Sequence, residues 1–303
     1  MHALPVRAGR PTSTKSVTLP VLHVCRTERT LPKHLPAGVV ITRRRDWGFG
    51  FTPMLNAVAG CPSMYGVTAH PPTPSSGMDH VPSAERRAVK ETDSEFHMGI
   101  TPYYAALMDR DDPNCPIRLQ SVPTMGELNI LASDLEDPLA EERDMPVPGI
   151  THRYPDRVLF YTTHNCPVYC RHCTRKRKVS DPTTAAAKKQ IEDSLAYIAA
   201  HPEIRDVVVS GGDPLSLSDD RLDYILGRLR AIPHVEVFRL GTRNLVTLPQ
   251  RVTNDLVKML RKHHPVFVNT HFNHPKECTA EAFEAARRLA DAGCMLGNQM
   301  VLL

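Results

Sequence analysis

Hydrophobic and polar positions show no sustained helical or strand period before Ala84. Between 84 and 150 a weak helical pattern sets in. Thr101-Pro102 reads as an N-cap and first-turn pair, with Tyr103, Ala106 and Leu107 following at helical spacing. Met125, Leu128 and Leu131 then recur at i, i+3 and i+6, and Pro146, Pro148 and Gly149 close the stretch. This predicts a small helical cap over 84–150. From Arg157 the pattern is regular. Apolar runs at Val158-Leu159-Phe160-Tyr161, Val207-Val208-Val209, Val235 to Phe238, Val266-Phe267-Val268 and from Met295 to Leu303 predict five strands. Four helical stripes alternate with them: Ile191, Leu195 and Ile198; Leu222 to Leu229 behind Ser218; Leu256 to Leu260 behind Thr253; and Phe283, Ala286 and Leu289 between Thr279 and Gly293. Uniformly apolar strands alternating with helices predict a parallel sheet covered on both faces, or a barrel wall.

Polar residues favour the barrel. His164, Asn165, Ser210, Asp213, Thr242, Arg243, Asn269, His271 and Asn273 all stand just past the ends of successive predicted strands. That rim is where barrel enzymes place their chemistry. The fold expected over 151–303 is an α/β partial (β/α) barrel.

Composition changes the picture mainly at the N-terminus. Residues 1–82 hold 11 of the 27 prolines, and nine Lys or Arg against three acids, Glu28, Asp46 and Asp79. Pro71 to Gly77 is a linker by composition. A disordered Pro/Arg-rich extension over 1–83 is expected; an organelle transit peptide and a misplaced start codon or reading frame stay open as alternatives. The whole chain carries a net charge of only +4 and 6% aromatics. Neither points to nucleic acid. No apolar stretch approaches a membrane span, and no signal-peptide core opens the chain. A cytoplasmic location is expected.

Eight cysteines are present, and three crowd into Cys166-x3-Cys170-x2-Cys173. Three thiolates on one loop can hold three irons of a [4Fe–4S] cluster and leave the fourth open, as a catalytic metal requires. The alternative is a structural zinc site completed by Cys278 or a histidine, although zinc sites more often use two separated C-x2-C pairs. Cys278 and Cys294 flank a predicted helix and are expected to pack as small hydrophobes; Cys115 falls in a turn.

The C-x3-C-x2-C spacing resembles the signature of radical S-adenosylmethionine enzymes. The runs Cys166 to Arg177, Ser210-Gly211-Gly212-Asp213, Ile232 to Glu236, Leu248 to Arg251, Asn269 to Pro275 and Leu289 to Gly293 resemble the lysine 2,3-aminomutase family, from about Glu91 to Leu303. The resemblance implies that Cys166, Cys170 and Cys173 bind the cluster. It implies that His172, Ser210, Gly211, Gly212, Asp213, His271 and Gln299 surround S-adenosylmethionine, and that Arg175 grips the substrate carboxylate. On residue pattern alone, Arg175 to Lys178 is a charge run that could equally be a solvated face. The implied reaction moves the α-amino group of an amino acid to the β carbon, with L-lysine first and L-glutamate or a lysine destined for translation-factor modification as alternatives. A 5′-deoxyadenosyl radical would start it and pyridoxal 5′-phosphate would carry the migrating amine. The implied partners are a small amino acid, an electron donor such as flavodoxin or ferredoxin, and further copies of the full-length chain. One departure stands out. The lysine that tethers pyridoxal phosphate in the family lies in a downstream glycine-rich segment, and no lysine here has that context. The expectation is a truncated family member unable to complete amino migration, or a non-catalytic iron–sulfur-binding remnant.

Overall fold

The computed structural model describes residues 83–302 apart from 94, 95, 110, 180, 182 and 184. The expected extension over 1–83, all but Ser83, lies outside the described residues.

Six strands form one open mixed sheet in chain order: β1 (Ile150–Tyr154), β2 (Arg157–Thr163), β3 (Asp206–Gly211), β4 (Val237–Gly241), β5 (Val266–Thr270) and β6 (Met295–Asn298). β1 pairs antiparallel with β2, and every later pair is parallel. The order never reverses, so the sheet lacks the switch point of a doubly wound fold. The short α6 (Asn244–Thr247) follows β4, and between the parallel strands run the longer helices α4 (Lys188–Ala200), α5 (Asp219–Arg230), α7 (Asn254–Arg261) and α8 (Ala280–Asp291). The last three begin on Ser218, Thr253 and Thr279, each accepting from the backbone N–H three residues on, as the sequence predicts.

The strands are less uniform than their composition. Val207, Val209, Phe238, Leu240, Val266 and Val268 are buried, whereas Val208, Val237, Arg239, Phe267 and Asn269 between them are only half-buried. The buried set joins one core cluster with Ile191, Leu195 and Ile198 of α4, Leu222 to Leu229 of α5, Leu256 and Leu260 of α7 and Leu289 of α8. Coverage of both faces, the alternative to a barrel wall, therefore does not hold equally. One face packs into the core, and the other presents a mixed surface that includes Arg239 and Asn269.

Three details of the sheet differ from expectation. β1 is unpredicted because Thr151, His152, Arg153 and Tyr154 give it no apolar signal; its partner across the Pro155-Asp156 turn supplies the order. β4 starts at Val237 because Val235 closes a turn onto Ile232 and both Glu236 and Val237 donate to the Arg205 carbonyl. β6 ends at Asn298, after which Gln299 donates to the Thr270 carbonyl and Val301 to the Asn273 side chain.

Ahead of the sheet lie α1 (Ser83–Thr92), α2 (Pro102–Ala105) and α3 (Pro116–Leu119). Thr101 caps α2 as predicted, accepting from the Tyr104 N–H at 3.2 Å. The stripe Met125, Leu128 and Leu131 yields only a 3₁₀ turn, Met125–Leu128, with Met125 and Leu131 exposed. Local side chains take the backbone donors there: Glu127 accepts from Thr124 N–H and Asp134 from Leu131 N–H. Ile100, Tyr104, Cys115, Ile117 and Val122 form a second cluster with Val168 and Val246. Cys115 is a core residue there as well as part of a turn.

Candidate functional site

The parallel strands place their C-terminal ends along one edge of the sheet, and the loop 164–178 leaves β2 at that edge. Gly212 N–H donates to the Thr163 carbonyl at 2.6 Å and Asp213 N–H to the Asn165 carbonyl at 2.8 Å. These bonds seat the Ser210-Gly211-Gly212-Asp213 turn against the base of the cysteine loop. Both glycines are needed for the fit. Gly211 has φ +108°, and a Cβ on Gly212 would lie 2.4 Å from the Asn165 oxygen. The glycines thus serve the approach of two backbone segments, in addition to any ligand.

Asp213 is buried and ties the rim together. Its carboxylate accepts from Leu215 N–H at 3.0 Å, from Thr242 Oγ1 at 2.7 Å and from Arg243 N–H at 2.7 Å. Burial pushes this carboxyl up, and the donors from Thr242, Arg243, Asn244 and Leu215 work against that rise. Thr242 N–H in turn reaches the Asn269 carbonyl at 2.9 Å. The ends of β2, β3, β4 and β5 are therefore knitted by hydrogen bonds.

Cys166, Cys170 and Cys173 face one another closely enough to act on each other's charge. Burial raises the Cys166 thiol well above its ordinary range, and Asp213, Cys173 and Cys170 add to the rise. Burial, then Cys170, also raises Cys173, whose sulfur accepts from Arg175 N–H at 3.4 Å. Cys170 receives Arg243 Nη1 at 2.9 Å. A lone zinc takes all its sulfurs at ~2.3 Å from one point, whereas each thiolate of an iron–sulfur cluster takes its own iron. Three crowded, mutually unfavourable thiols on one loop are a donor set for a metal centre. Cys278 is exposed rather than packed as a small hydrophobe, because Thr279 starts α8 beside it and only Cys294, at the far end, enters the core.

The loop is stapled on its other side to the segment before the sheet. Tyr169 N–H donates to Gly99 and Arg171 N–H to Gln120. The Arg171 guanidinium forks onto Glu127 at 2.6 to 3.2 Å. Sequence reasoning missed Glu127, Tyr104, Gln120 and Glu277 because their partners lie 34 to 173 residues away.

The remaining expected residues divide. His172 sits between two cysteines, with a buried Nδ1 that has no partner. Burial, with Arg243 and His271 behind it, pushes its imidazole down to about 4, so the ring is neutral at pH 7. His271 and Gln299 do meet, but through His271 Nδ1 and the Gln299 carbonyl at 2.5 Å; the Gln299 residue itself is exposed. Ser210 lies on β3 at the rim, its carbonyl accepting from Thr162 Oγ1. Arg175 is not solvated. Its fork grips the Glu141 carboxylate at 2.5 to 3.0 Å.

No helix among the described residues is long and apolar enough to cross a membrane. The family model of the 4Fe-4S single cluster domain matches residues 153–288, which contain all three loop cysteines. The L-lysine 2,3-aminomutase of Clostridium subterminale is 53% identical over 219 residues, 72% of this chain and 53% of the relative. That of Bacillus subtilis is 52% identical over 219 residues, 72% of this chain and 46% of the relative. The glutamate 2,3-aminomutase of Clostridioides difficile is 50% identical over 219 residues, 72% of this chain and 52% of the relative. The chain spans about half the length of the curated relatives it matches. On this similarity and the cluster-domain match, the chain belongs to the lysine 2,3-aminomutase family.

Proposed function

We propose that the chain carries the cluster and S-adenosylmethionine site of a radical amino acid 2,3-aminomutase, an isomerase whose first substrate is L-lysine. In this reading the open sheet is the wall of a partial (β/α) barrel, and 84–150 is a cap over its rim. One observation carries it: a three-thiol loop is hydrogen-bonded directly to the glycine turn at the end of β3, at the edge where β4 and β5 also end.

Cys166, Cys170 and Cys173 would hold a [4Fe–4S] cluster, and Ser210, Gly211, Gly212, His172, His271 and Gln299 would flank S-adenosylmethionine. When bound, the two together supply the radical that starts amino migration. Asp213 acts by holding the turn and the Thr242-Arg243 backbone in place. Neutral His172 offers an uncharged ring beside the cluster loop. Arg175 already holds a carboxylate in the forked geometry that an amino acid would use. A substrate would have to displace Glu141 from it. Pyridoxal phosphate fits less well: none of the lysines among the described residues stands in a glycine-rich segment.

The test is to reduce the iron-loaded chain with dithionite in the presence of S-adenosylmethionine, with L-lysine, L-glutamate or neither, and to measure 5′-deoxyadenosine. The expected result is 5′-deoxyadenosine release that is greatest with L-lysine and absent in Cys166→Ala, Cys170→Ala and Cys173→Ala. No release from a chain with a full complement of iron would favour a non-catalytic iron–sulfur protein.

A further inference from the structure

Arg243 is the most heavily bonded buried cation at the rim. Its side chain is 8% exposed, and every nitrogen of the guanidinium is engaged. Nε points to the His271 carbonyl at 3.4 Å. Nη2 donates to Tyr104 Oη at 2.8 Å, Gln120 Oε1 at 2.5 Å and Glu277 Oε1 at 2.7 Å. Nη1 is left for the Cys170 sulfur, at 2.9 Å. The countercharge from Glu277 thus sits on one arm of the fork, and the other arm is aimed at a cluster ligand. Burial works against the positive charge, but Cys170, Tyr104 and Glu277 outweigh it and keep the group protonated.

Hydrogen bonds to ligand sulfurs are among the factors that set iron–sulfur potentials. Reduction adds one negative charge to the cluster. A fixed N–H dipole on a charged group stabilises the reduced form more than the oxidised form, and does so strongly where water is excluded. We propose that Arg243 is a positioning residue that raises the cluster's reduction potential through its Nη1–H bond to the Cys170 sulfur, with Gln120 and Glu277 holding the guanidinium in that aim. One electron enters the cluster from the external reductant, no covalent bond forms or breaks, and the proton stays on Arg243. This inference rests on the cluster reading above.

Two measurements test it. The first is a dithionite titration of iron-loaded wild type, Arg243→Lys, Arg243→Gln and Tyr104→Phe, followed by electron paramagnetic resonance. Both Arg243 variants should make reduction about tenfold less favourable, a shift of about 59 mV to more negative potential for a one-electron couple. Tyr104→Phe removes one partner of the other arm and should lower the melting temperature while leaving the potential in place. The second needs no variant. Wild type labelled with ¹⁵N in the arginine guanidino groups should show, by electron–nuclear double resonance on the reduced cluster, a guanidino ¹⁵N coupling that Glu141-bound Arg175 is not aimed to give. Unchanged potentials in both Arg243 variants, an equal shift in Tyr104→Phe, or no ¹⁵N coupling would overturn the assignment. A wild-type chain that takes up no cluster would instead overturn the proposed function itself.

Discussion

Glu277→Ala is expected to destabilise the chain by about 3–5 kcal/mol, the cost of removing one partner from a buried ion pair. Glu277 is fully buried, and its two oxygens serve two structures at once. Oε1 accepts from Arg243 Nη2, Tyr104 Oη and Gln120 Nε2. Oε2 accepts from the backbone N–H groups of Asn273 and His274, which shape the turn after β5. Alanine would leave the buried Arg243 guanidinium without its carboxylate and the Asn273 and His274 N–H groups without their acceptor in one step. Glu277→Gln keeps the shape and part of the bonding and should cost markedly less. Urea unfolding followed by circular dichroism reads both. Equal stability of Glu277→Ala and wild type would show that Arg243 does not depend on this carboxylate.

Gly212→Ala is expected to abolish iron loading and to cost about 1–3 kcal/mol or more of stability, as overpacking against an unyielding neighbour does. The added Cβ would stand 2.4 Å from the Asn165 oxygen and 3.0 Å from its carbonyl carbon and nitrogen, all backbone atoms. Asn165 immediately precedes Cys166, so relief requires the cysteine loop to move off the β3 turn. Gly227 is the internal control. It lies inside α5, where a Cβ would meet only the His263 ring at 3.6 Å. Gly227→Ala should therefore stabilise the chain by roughly 0.5–1 kcal/mol through helix propensity and leave iron loading untouched. Iron per chain and melting temperature measured on the two variants together separate loop displacement from general loosening. Normal iron loading in Gly212→Ala would show that the contact between turn and loop is dispensable.

The sheet was legible in the sequence because its strands and helices are local patterns: a short apolar run, a Ser or Thr cap, a stripe at 3.6 spacing. Ser218, Thr253 and Thr279 start helices where their spacing says they should. The polar strand β1 was not legible, since its order comes from pairing with β2 rather than from its own composition. The stripe at Met125 misled because Glu127 and Asp134 capture the backbone locally. At the site, the cysteine spacing and the strand-end positions of Ser210, Asp213 and His271 could be found from sequence. The Arg243–Tyr104–Gln120–Glu277 group could not. Buried polar networks are satisfied by residues far apart in the chain, and nothing in the spacing of any one of them announces the others. Arg175 shows the same limit from the other side. Its run of charges suggests a solvated face, yet Glu141, 34 residues away, holds it in a bidentate pair.

Electron paramagnetic resonance on the anaerobically reconstituted, dithionite-reduced chain, recorded with and without S-adenosylmethionine, tests the cluster assignment most directly. About four irons per chain are expected, held by three thiolates with one iron open, and the spectrum should change when S-adenosylmethionine is added. Cys166→Ala, Cys170→Ala and Cys173→Ala should each lose the signal, while Cys278→Ala should keep it. A single bound zinc, a spectrum indifferent to S-adenosylmethionine, or equal loss of signal in Cys278→Ala would contradict the assignment.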